Sequence, residues 1–212
     1  MSSIRYILTI GALLTVAFAA PHNLSDTADA PALPSSSLPP PTGLTLKVIA
    51  LGVGHQNYTC NSTSGKFSSN VALADLFDAT RYLSKHKDEV DSITYDRLEK
   101  FEDACEDVED SNHGPHLRHI GKHFFQATTP AIPTFDLSKL GLFLEAKKTS
   151  DVPAPDADDD IDWLLLSDND EGETKGLKAV YRVETAGGRP PATCSGDEQV
   201  FVPYTAEYWF YA

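Results

Sequence analysis

The final block of the chain, residues 177–212, constrains the fold more than any other stretch, because it ends on a run of aromatic residues. Residues 206–211 read Ala-Glu-Tyr-Trp-Phe-Tyr, and a terminus this apolar is expected to be held in a core rather than to fray. Residues 200–202 form another β-branched and aromatic run, and Pro203 between the two runs predicts a bend or a sheet edge. The block therefore predicts a buried C-terminal strand.

Short runs of β-branched and aromatic residues recur through the rest of the chain, separated by turn-forming residues. The strands predicted from them are residues 44–52, 56–60, 123–125, 133–137, 141–148, 161–166 and 179–185. Such a succession of short strands is typical of an antiparallel β-sandwich or a barrel-like domain. We therefore expect a mainly β fold.

The stretch Gly52-Val53-Gly54-His55 has a superficial likeness to the glycine-rich loop of a dinucleotide-binding fold. The third glycine of that loop and the helix that should follow it are both missing, and the next residues favour a strand. We therefore expect a turn between two strands here and predict no cofactor for this chain.

A helical insertion is predicted around residues 70–120. From 82 to 110 apolar residues recur at intervals of three and four, as on one face of an amphipathic helix. Residues 69–80 fit either a helix or a buried strand followed by a turn. Residues 88–110 hold eleven carboxylates and two basic residues, which predicts a solvated acidic face, with cation binding or docking to a basic partner as the alternative.

Residues 1–20 carry one positive charge, a long apolar run and small residues at Ala19 and Ala20, a pattern typical of a secretory signal peptide. Residues 21–42 contain six prolines and several serines, which predicts a disordered leader. We expect one folded β-rich domain over 43–212, secreted to the extracellular space. No later stretch of the sequence is long and apolar enough for a membrane-spanning helix.

The chain contains 17 Lys and Arg residues against 31 Asp and Glu residues, a formal net charge of −14. An acidic surface repels phosphate backbones, so nucleic acid is not an expected partner.

An oxidising compartment would pair two of the three cysteines. Cys60 and Cys194 each close a strand-and-turn segment, whereas Cys105 lies in the acidic helical stretch, so we predict a Cys60–Cys194 disulfide. A loop this long corresponds to about 4–5 kcal/mol in the chain-entropy description of disulfide stabilisation. Potential N-glycosylation sites in a secreted protein are Asn23, Asn57 and Asn61.

One cluster of histidines stands out, formed by His113, His116, His119 and His123. Spacings of three, three and four would place these imidazoles, the commonest metal ligands, on one face of a helix. Gly114, Pro115 and Gly121 oppose a continuous helix, and neither a His-Glu-x-x-His motif nor a paired carboxylate ligand is present. We therefore expect a histidine-rich surface loop, with a metal site as the alternative.

Five ordered segments of the chain carry a resemblance to a known family: residues 52–60, 121–125, 162–166, 180–188 with 191–194, and 203–211. Together they resemble the DUF3455 family, which comprises secreted, mostly fungal and some bacterial proteins of unknown function. The resemblance covers most of residues 43–212 and implies a β-rich extracellular domain. Residues 82–119 depart from the family pattern and are interpreted as a lineage-specific helical elaboration.

The resemblance also bears on individual residues. It supports the pairing of Cys60 with Cys194, because both lie in shared segments. It weakens the metal hypothesis, because His123 is the only one of the four histidines within such a segment. Some family members carry the label malate dehydrogenase, but this sequence lacks the nucleotide fingerprint and the strand–helix alternation of such an enzyme, so we do not expect that activity.

Two functions are consistent with these observations. The first is a secreted or wall-associated domain that binds a ligand or partner, such as a carbohydrate or an extracellular protein. The second is a secreted, hydrolase-like enzyme, with His123 and either Asp162 or Glu184 as its acid/base set. The polar residues that the shared segments offer for such an enzyme are Gln56, Tyr58, His123, Asp162, Tyr181, Arg182 and Glu184, although strand residues that only satisfy a buried core would look the same. No Gly-x-Ser-x-Gly motif is present.

Overall fold

The computed structural model describes residues 24, 26–103 and 116–212. Its centre is a closed barrel of eight antiparallel strands in which each strand pairs with its neighbours in sequence and the last pairs with the first. The strands are β1 (Leu46–Asn61), β2 (Lys66–Asp78), β3 (Arg118–Gln126), β4 (Ile132–Leu137), β5 (Leu142–Val152), β6 (Trp163–Asp168), β7 (Ala179–Gly187) and β8 (Gln199–Tyr211). The prediction of a mainly β, barrel-like domain is confirmed.

Two short helices connect β2 to the chain before β3. They are α1 (Thr80–Lys85) and α2 (Ile93–Asp103), separated by a one-turn 3-10 helix at Lys87–Glu89. A second one-turn 3-10 helix, Ser138–Leu140, connects β4 to β5. The predicted helical insertion is therefore present, but residues 69–78 belong to strand β2. No helix within the described part of the chain is both long and apolar enough to cross a membrane.

Strand β8 explains why the C-terminal block is apolar on both of its faces. Successive residues of a strand point to opposite faces, so Tyr204, Tyr208 and Phe210 point into the barrel while Trp209 and Tyr211 point out. The outward residues are nevertheless buried, because an outer layer covers this side of the barrel. The predicted buried C-terminal strand is present, and it is longer than expected because Pro203 lies inside it.

Pro203 is accommodated at the point where pairing with β7 stops. The ladder between β7 and β8 ends at the pair Gly187–Tyr204, one residue away from the proline. A residue without an N–H group can occupy a strand where no partner strand requires that hydrogen bond.

The outer layer consists of the helices and the segment before β1. Leu38 is buried together with Leu83 of α1, Ile93 of α2 and Trp209 of β8. Tyr181, one of the candidate site residues, points outward and donates a hydrogen bond to the carbonyl oxygen of Pro39 at 2.7 Å. The composition of residues 21–42 predicted a disordered leader, whereas residues 26–42 pack along the barrel, because Leu38 and this hydrogen bond attach them.

The prediction of a turn at Gly52–His55 is wrong. This stretch lies in the middle of the continuous strand β1. A Cβ atom at Gly52 would lie 2.5 Å from a ring carbon of Tyr208, so a side chain there would displace the tyrosine ring. Gly52 is needed because the Tyr208 ring lies close to it inside the barrel. Since glycine is also typical of turns, the sequence alone suggested a turn.

The predicted disulfide between Cys60 and Cys194 is present and joins the end of β1 to the loop between β7 and β8. Its Cα atoms are 5.7 Å apart. Cys105 lies outside the described residues.

Candidate functional site

The interior of the barrel is apolar toward one end and polar toward the other. We call the end at which β1, β3, β5 and β7 finish the upper end. The lower half of the interior is filled by aliphatic and aromatic residues, among them Val48, Ile120, Leu137, Leu142, Leu166, Val180 and Phe210. Toward the upper end lies a group of polar side chains, which we call the interior polar cluster: Gln56, Tyr58, His123, Arg182, Tyr204 and Tyr208.

Among the titratable residues that were predicted as site candidates from the sequence, His123 is the most deeply buried member of the interior polar cluster. Its Nδ1 lies 3.0 Å from the carbonyl oxygen of Thr134, and because a carbonyl can only accept, Nδ1 carries the proton. The ring stacks on Phe135 with ring centroids 4.2 Å apart. Burial lowers the pKa of His123 to about 4, so the imidazole is neutral at pH 7.

The structure does not join His123 to either carboxylate that was predicted to act with it. Asp162 instead forms an ion pair with Arg189, with Nη2 and Oδ1 2.7 Å apart. Glu184 lies near Asp91 and Glu207 on the outside of the barrel. The charge of Asp91 helps to raise the pKa of Glu184, and the charges of Glu184 and Asp91 help to raise that of Glu207. No ion pair with His123 exists among the residues that the structure describes.

Two tyrosines that were not among the candidate site residues of the sequence analysis belong to the interior polar cluster. The hydroxyl oxygens of Tyr204 and Tyr208 are 2.9 Å apart and both side chains are fully buried. Burial raises the pKa of both phenols, and the positive charge of Arg182 opposes that rise. Both tyrosines are therefore neutral hydrogen-bonding groups at physiological pH.

Arg182 occupies an inward-facing position of β7, opposite Tyr208 in the strand register. Its Nε and Nη2 donate hydrogen bonds to the carbonyl oxygen of Asp162, at 3.3 and 2.8 Å. Within the described parts of the chain, no carboxylate forms an ion pair with this guanidinium. Arg182 also hydrogen-bonds to the hydroxyl of Tyr208, so it brings to the upper half of the barrel a positive charge whose partners are both neutral.

Gln56 and Tyr58 complete the cluster from strand β1. The Tyr58 hydroxyl donates a hydrogen bond to the carbonyl oxygen of Gly188 at 2.7 Å. Gln56 is only 5% exposed, and its Nε2 has no hydrogen-bond partner among the described residues. Leaving a buried amide without a partner costs about 1–3 kcal/mol of folding stability, so Gln56 destabilises the protein when no ligand is bound.

The loop between β5 and β6 crosses the upper end of the barrel. Ile161 of this loop inserts its side chain into the interior core, and its carbonyl accepts a hydrogen bond from the Thr185 hydroxyl at 2.6 Å. The buried carboxylate of Asp160 accepts hydrogen bonds from the backbone N–H of Gly187, at 2.6 Å, and from the hydroxyl of Tyr95 on α2. These bonds hold the loop beside the interior polar cluster.

A second buried polar group lies outside the barrel, beneath α2. Glu207 of β8 is fully buried, and its Oε2 accepts a hydrogen bond from the Trp209 indole N–H at 2.7 Å, while Oε1 has no partner among the described residues. Burial raises the pKa of Glu207 to about 8, and burial with the nearby Asp91 raises that of Glu184 to about 7. A lone carboxylate within the aromatic C-terminal hexad was the sequence signal for Glu207, and sequence analysis did not use it.

The candidate metal-binding histidines are dispersed. His119 of β3 points outward, with Nε2 2.8 Å from Oδ1 of Asp75, whereas His123 on the same strand points inward. His116 precedes the strand, and His113 lies outside the described residues. The predicted surface loop is therefore a strand from Arg118 onward, and no group of three or more His, Cys, Asp or Glu side chains within the described ranges could hold a metal ion.

The fold and the site define a class of protein: a closed, eight-stranded antiparallel barrel with an apolar lower interior and a polar upper interior. Residues 40–212 match the model of DUF3455, a family of proteins of unknown function, and the chain belongs to this family. Neither a search of curated proteins nor a search of solved structures found a match.

Proposed function

We propose that this chain is a ligand-binding domain whose ligand contacts the interior polar cluster. The observation that carries the proposal is Gln56, a buried amide without a partner for its N–H groups among the described residues, in the half of the interior where the other polar side chains gather. Eight-stranded barrels have interiors that either side chains fill or one small ligand occupies. A bound ligand would supply the missing acceptor.

The distribution of polar groups supports this proposal over a purely structural one. A buried hydrogen-bonding group that lacks a partner destabilises the fold, and an aliphatic residue of similar size would remove that penalty. The lower half of the same barrel uses aliphatic residues in this way. Polar residues placed only in the upper half suggest a role there that packing does not require.

The alternative, a hydrolase-like enzyme centred on His123, has less support. An imidazole with a pKa of about 4 is a weak base at neutral pH, and catalytic bases work best with a pKa near the working pH. Of the two carboxylates expected to assist it, Asp162 forms an ion pair with Arg189, and Glu184 lies near Asp91 on the outside of the barrel.

The variant Gln56→Leu tests the proposal even while the ligand is unidentified. We expect Q56L to raise the free energy of unfolding by about 1 kcal/mol, because it removes the unpartnered amide, and to weaken ligand binding. The matched control is Q126L: Gln126 Nε2 donates to Thr134 Oγ1 at 3.2 Å and to Glu145 Oε1, so its replacement should destabilise the protein.

Ligands are sought among carbohydrates, isolated cell walls and extracellular proteins, by glycan arrays and by thermal shift. The expected result is a ligand that raises the melting temperature of the wild type and has a smaller effect on Q56L. A destabilised Q56L variant, or a ligand that stabilises both proteins equally, would contradict a binding role for the interior polar cluster.

We also propose that the protein is secreted after removal of residues 1–20 and carries a glycan at Asn61. Asn61 is exposed at the end of β1, and its Oδ1 accepts hydrogen bonds from the N–H groups of Thr63 and Ser64. Asn57 lies within β1 with a buried Oδ1, so we expect it to be a poor acceptor. Mass spectrometry of the secreted protein tests the cleavage site and the two sequons, and a glycan on Asn57 alone would refute the assignment.

A further inference from the structure

We propose that the ligand carries an anionic group, a carboxylate or a phosphate, which binds to Arg182 in the upper half of the barrel. This inference rests on the binding function proposed above and adds the chemical class of the ligand. The residues that carry it are Arg182 and two other members of the interior polar cluster, Gln56 and Tyr58.

The first argument is the contrast between the two arginines at this end of the barrel. Arg189 is neutralised by Asp162, and its Nε donates to the carbonyl oxygen of Asp160 at 2.8 Å. Arg182 has only neutral hydrogen-bonding partners, the carbonyl oxygen of Asp162 and the hydroxyl of Tyr208, and no ion pair among the described residues. Its planar guanidinium has further N–H groups, and carboxylates and phosphates fit such a fork in a bidentate way.

The second argument is the direction in which this charge acts. Arg182 is half-buried, and its positive charge influences the titration of Tyr58, His123, Tyr204 and Tyr208, all of which line the interior. The guanidinium is therefore close to the polar groups of the interior and is partly shielded from bulk solvent. At such a site an anion gains more than at the protein surface.

The third argument is the kind of hydrogen bond that the cluster can still make. The unpartnered atom of Gln56 is Nε2, which is a donor. The phenols of Tyr204 and Tyr208 are held neutral by burial, so they add no negative charge that would oppose an anion. A positive charge together with an unsatisfied donor fits an acceptor-rich, negatively charged group.

The simplest rival explanation is that Arg182 only braces the loop between β5 and β6, through the carbonyl of Asp162. A brace predicts that Arg182 variants lose stability and that anions have no effect on the wild type. An anion site predicts saturable binding of anions to the wild-type protein.

The experiment is a nuclear magnetic resonance titration that follows the Nε–H signal of Arg182 and the side-chain amide of Gln56. The probes are acetate, inorganic phosphate, glucuronate and its neutral analogue glucose, each added at constant ionic strength to about 100 mM, which fills a site with a millimolar Kd. We expect saturable shifts at both residues with glucuronate and with at least one of acetate and phosphate, and weaker effects with glucose. Comparison of acetate with phosphate shows which anion the site prefers.

Variants provide the controls. R182Q should weaken anion binding about 10- to 100-fold, since a charged hydrogen-bonding partner is lost, and R182K should retain part of the affinity. R81Q, which changes an exposed arginine of α1, should bind anions as the wild type does. If R182Q does not fold, the wild type, R182K and R81Q still decide the matter.

The outcomes separate this inference from the proposed function. Equal shifts with glucose and glucuronate would refute the anion site while leaving a binding function in place. No saturable shift with any probe would also overturn the anion site, and the Q56L experiment would then judge the binding function by itself. Anion binding that R182K and R182Q do not weaken would place the anion elsewhere.

Discussion

The lower and upper halves of the barrel interior are formed by the same strands, but the lower half is lined by apolar side chains and the upper half carries polar ones. In the lower half, Phe210 and Val180 fill the space between strands with apolar surface. Two residues further up the same two strands, Tyr208 and Arg182 bring a phenol and a guanidinium into the interior. Since one sheet supplies both halves, strand geometry cannot explain the difference, and the side chains must be accounted for by what each half does.

If the upper half binds a ligand as proposed, stability and recognition are separated along the barrel axis. Burial of apolar surface is the dominant favourable term in folding, and the lower half maximises it. The upper half gives up part of that gain to keep hydrogen-bonding groups in the interior. Substitutions in the lower half should therefore affect folding, and substitutions in the upper half should affect binding.

The largest effect is expected from Phe210→Ala in the lower half. Removing a fully buried phenyl group leaves a cavity and should lower the free energy of unfolding by about 3–5 kcal/mol. Urea denaturation followed by circular dichroism measures the loss. The matched control is Phe201→Ala, because Phe201 is 64% exposed and should contribute little. Equal losses for the two variants would show that the lower half does not carry the core.

The variant Glu207→Gln tests how much stability the protein loses when a buried polar group outside the barrel interior becomes charged. The pKa of Glu207 is about 8 in the folded protein, against an ordinary value of 4.5. The protonated side chain therefore contributes its full stability below pH 4.5, and this contribution is lost as the pH rises toward 8. Gln resembles the protonated acid. We expect E207Q to match the wild type near pH 4.5 and to exceed its stability at pH 8.5 by an amount on the order of 5 kcal/mol.

Thermal unfolding between pH 4.5 and 8.5 gives this measurement. The charged groups that face Glu207 are Glu184 on β7 and Asp91 before α2, and both would oppose its ionisation. The exposed acid Glu171 supplies the control, since E171Q should follow the wild-type pH profile. Parallel profiles for E207Q and the wild type would mean that Glu207 is already ionised at low pH.

Much of the fold could be predicted because its signals are local. Runs of β-branched and aromatic residues indicated the strands, and the positions of Cys60 and Cys194 within strand-and-turn segments indicated their disulfide. The stretch Gly52–His55 was misread as a turn, since a glycine that makes room for a tyrosine ring from another strand resembles a turn glycine in sequence. The packing of Leu38 had no periodic signal, because a single apolar residue among prolines forms no pattern.

The site was harder to predict, because it depends on which way each strand faces. His123 and Arg182 were named as candidates, but their inward direction follows from the strand register. In β8 both faces are buried, so no alternation of polar and apolar residues distinguished Tyr204 and Tyr208 from the outward Trp209. The pairing of His123 with a carboxylate could not be tested from sequence, since it required knowing which face Glu184 occupies.

The smallest effect, and the sharpest for the comparison, is expected from Tyr208→Phe. The variant keeps the ring that packs over Gly52 and removes the hydroxyl that hydrogen-bonds to Tyr204 and Arg182, so folding should lose only about 1–2 kcal/mol. If the upper half serves binding, the same variant should alter the affinity for a ligand of the interior polar cluster more than it alters stability. Tyr181→Phe is the control, because it loses a hydrogen bond outside the barrel, to Pro39, and should leave ligand affinity unchanged. Were both variants to change stability equally and leave affinity untouched, Tyr208 would be a packing residue, and the boundary of the polar half would lie above it.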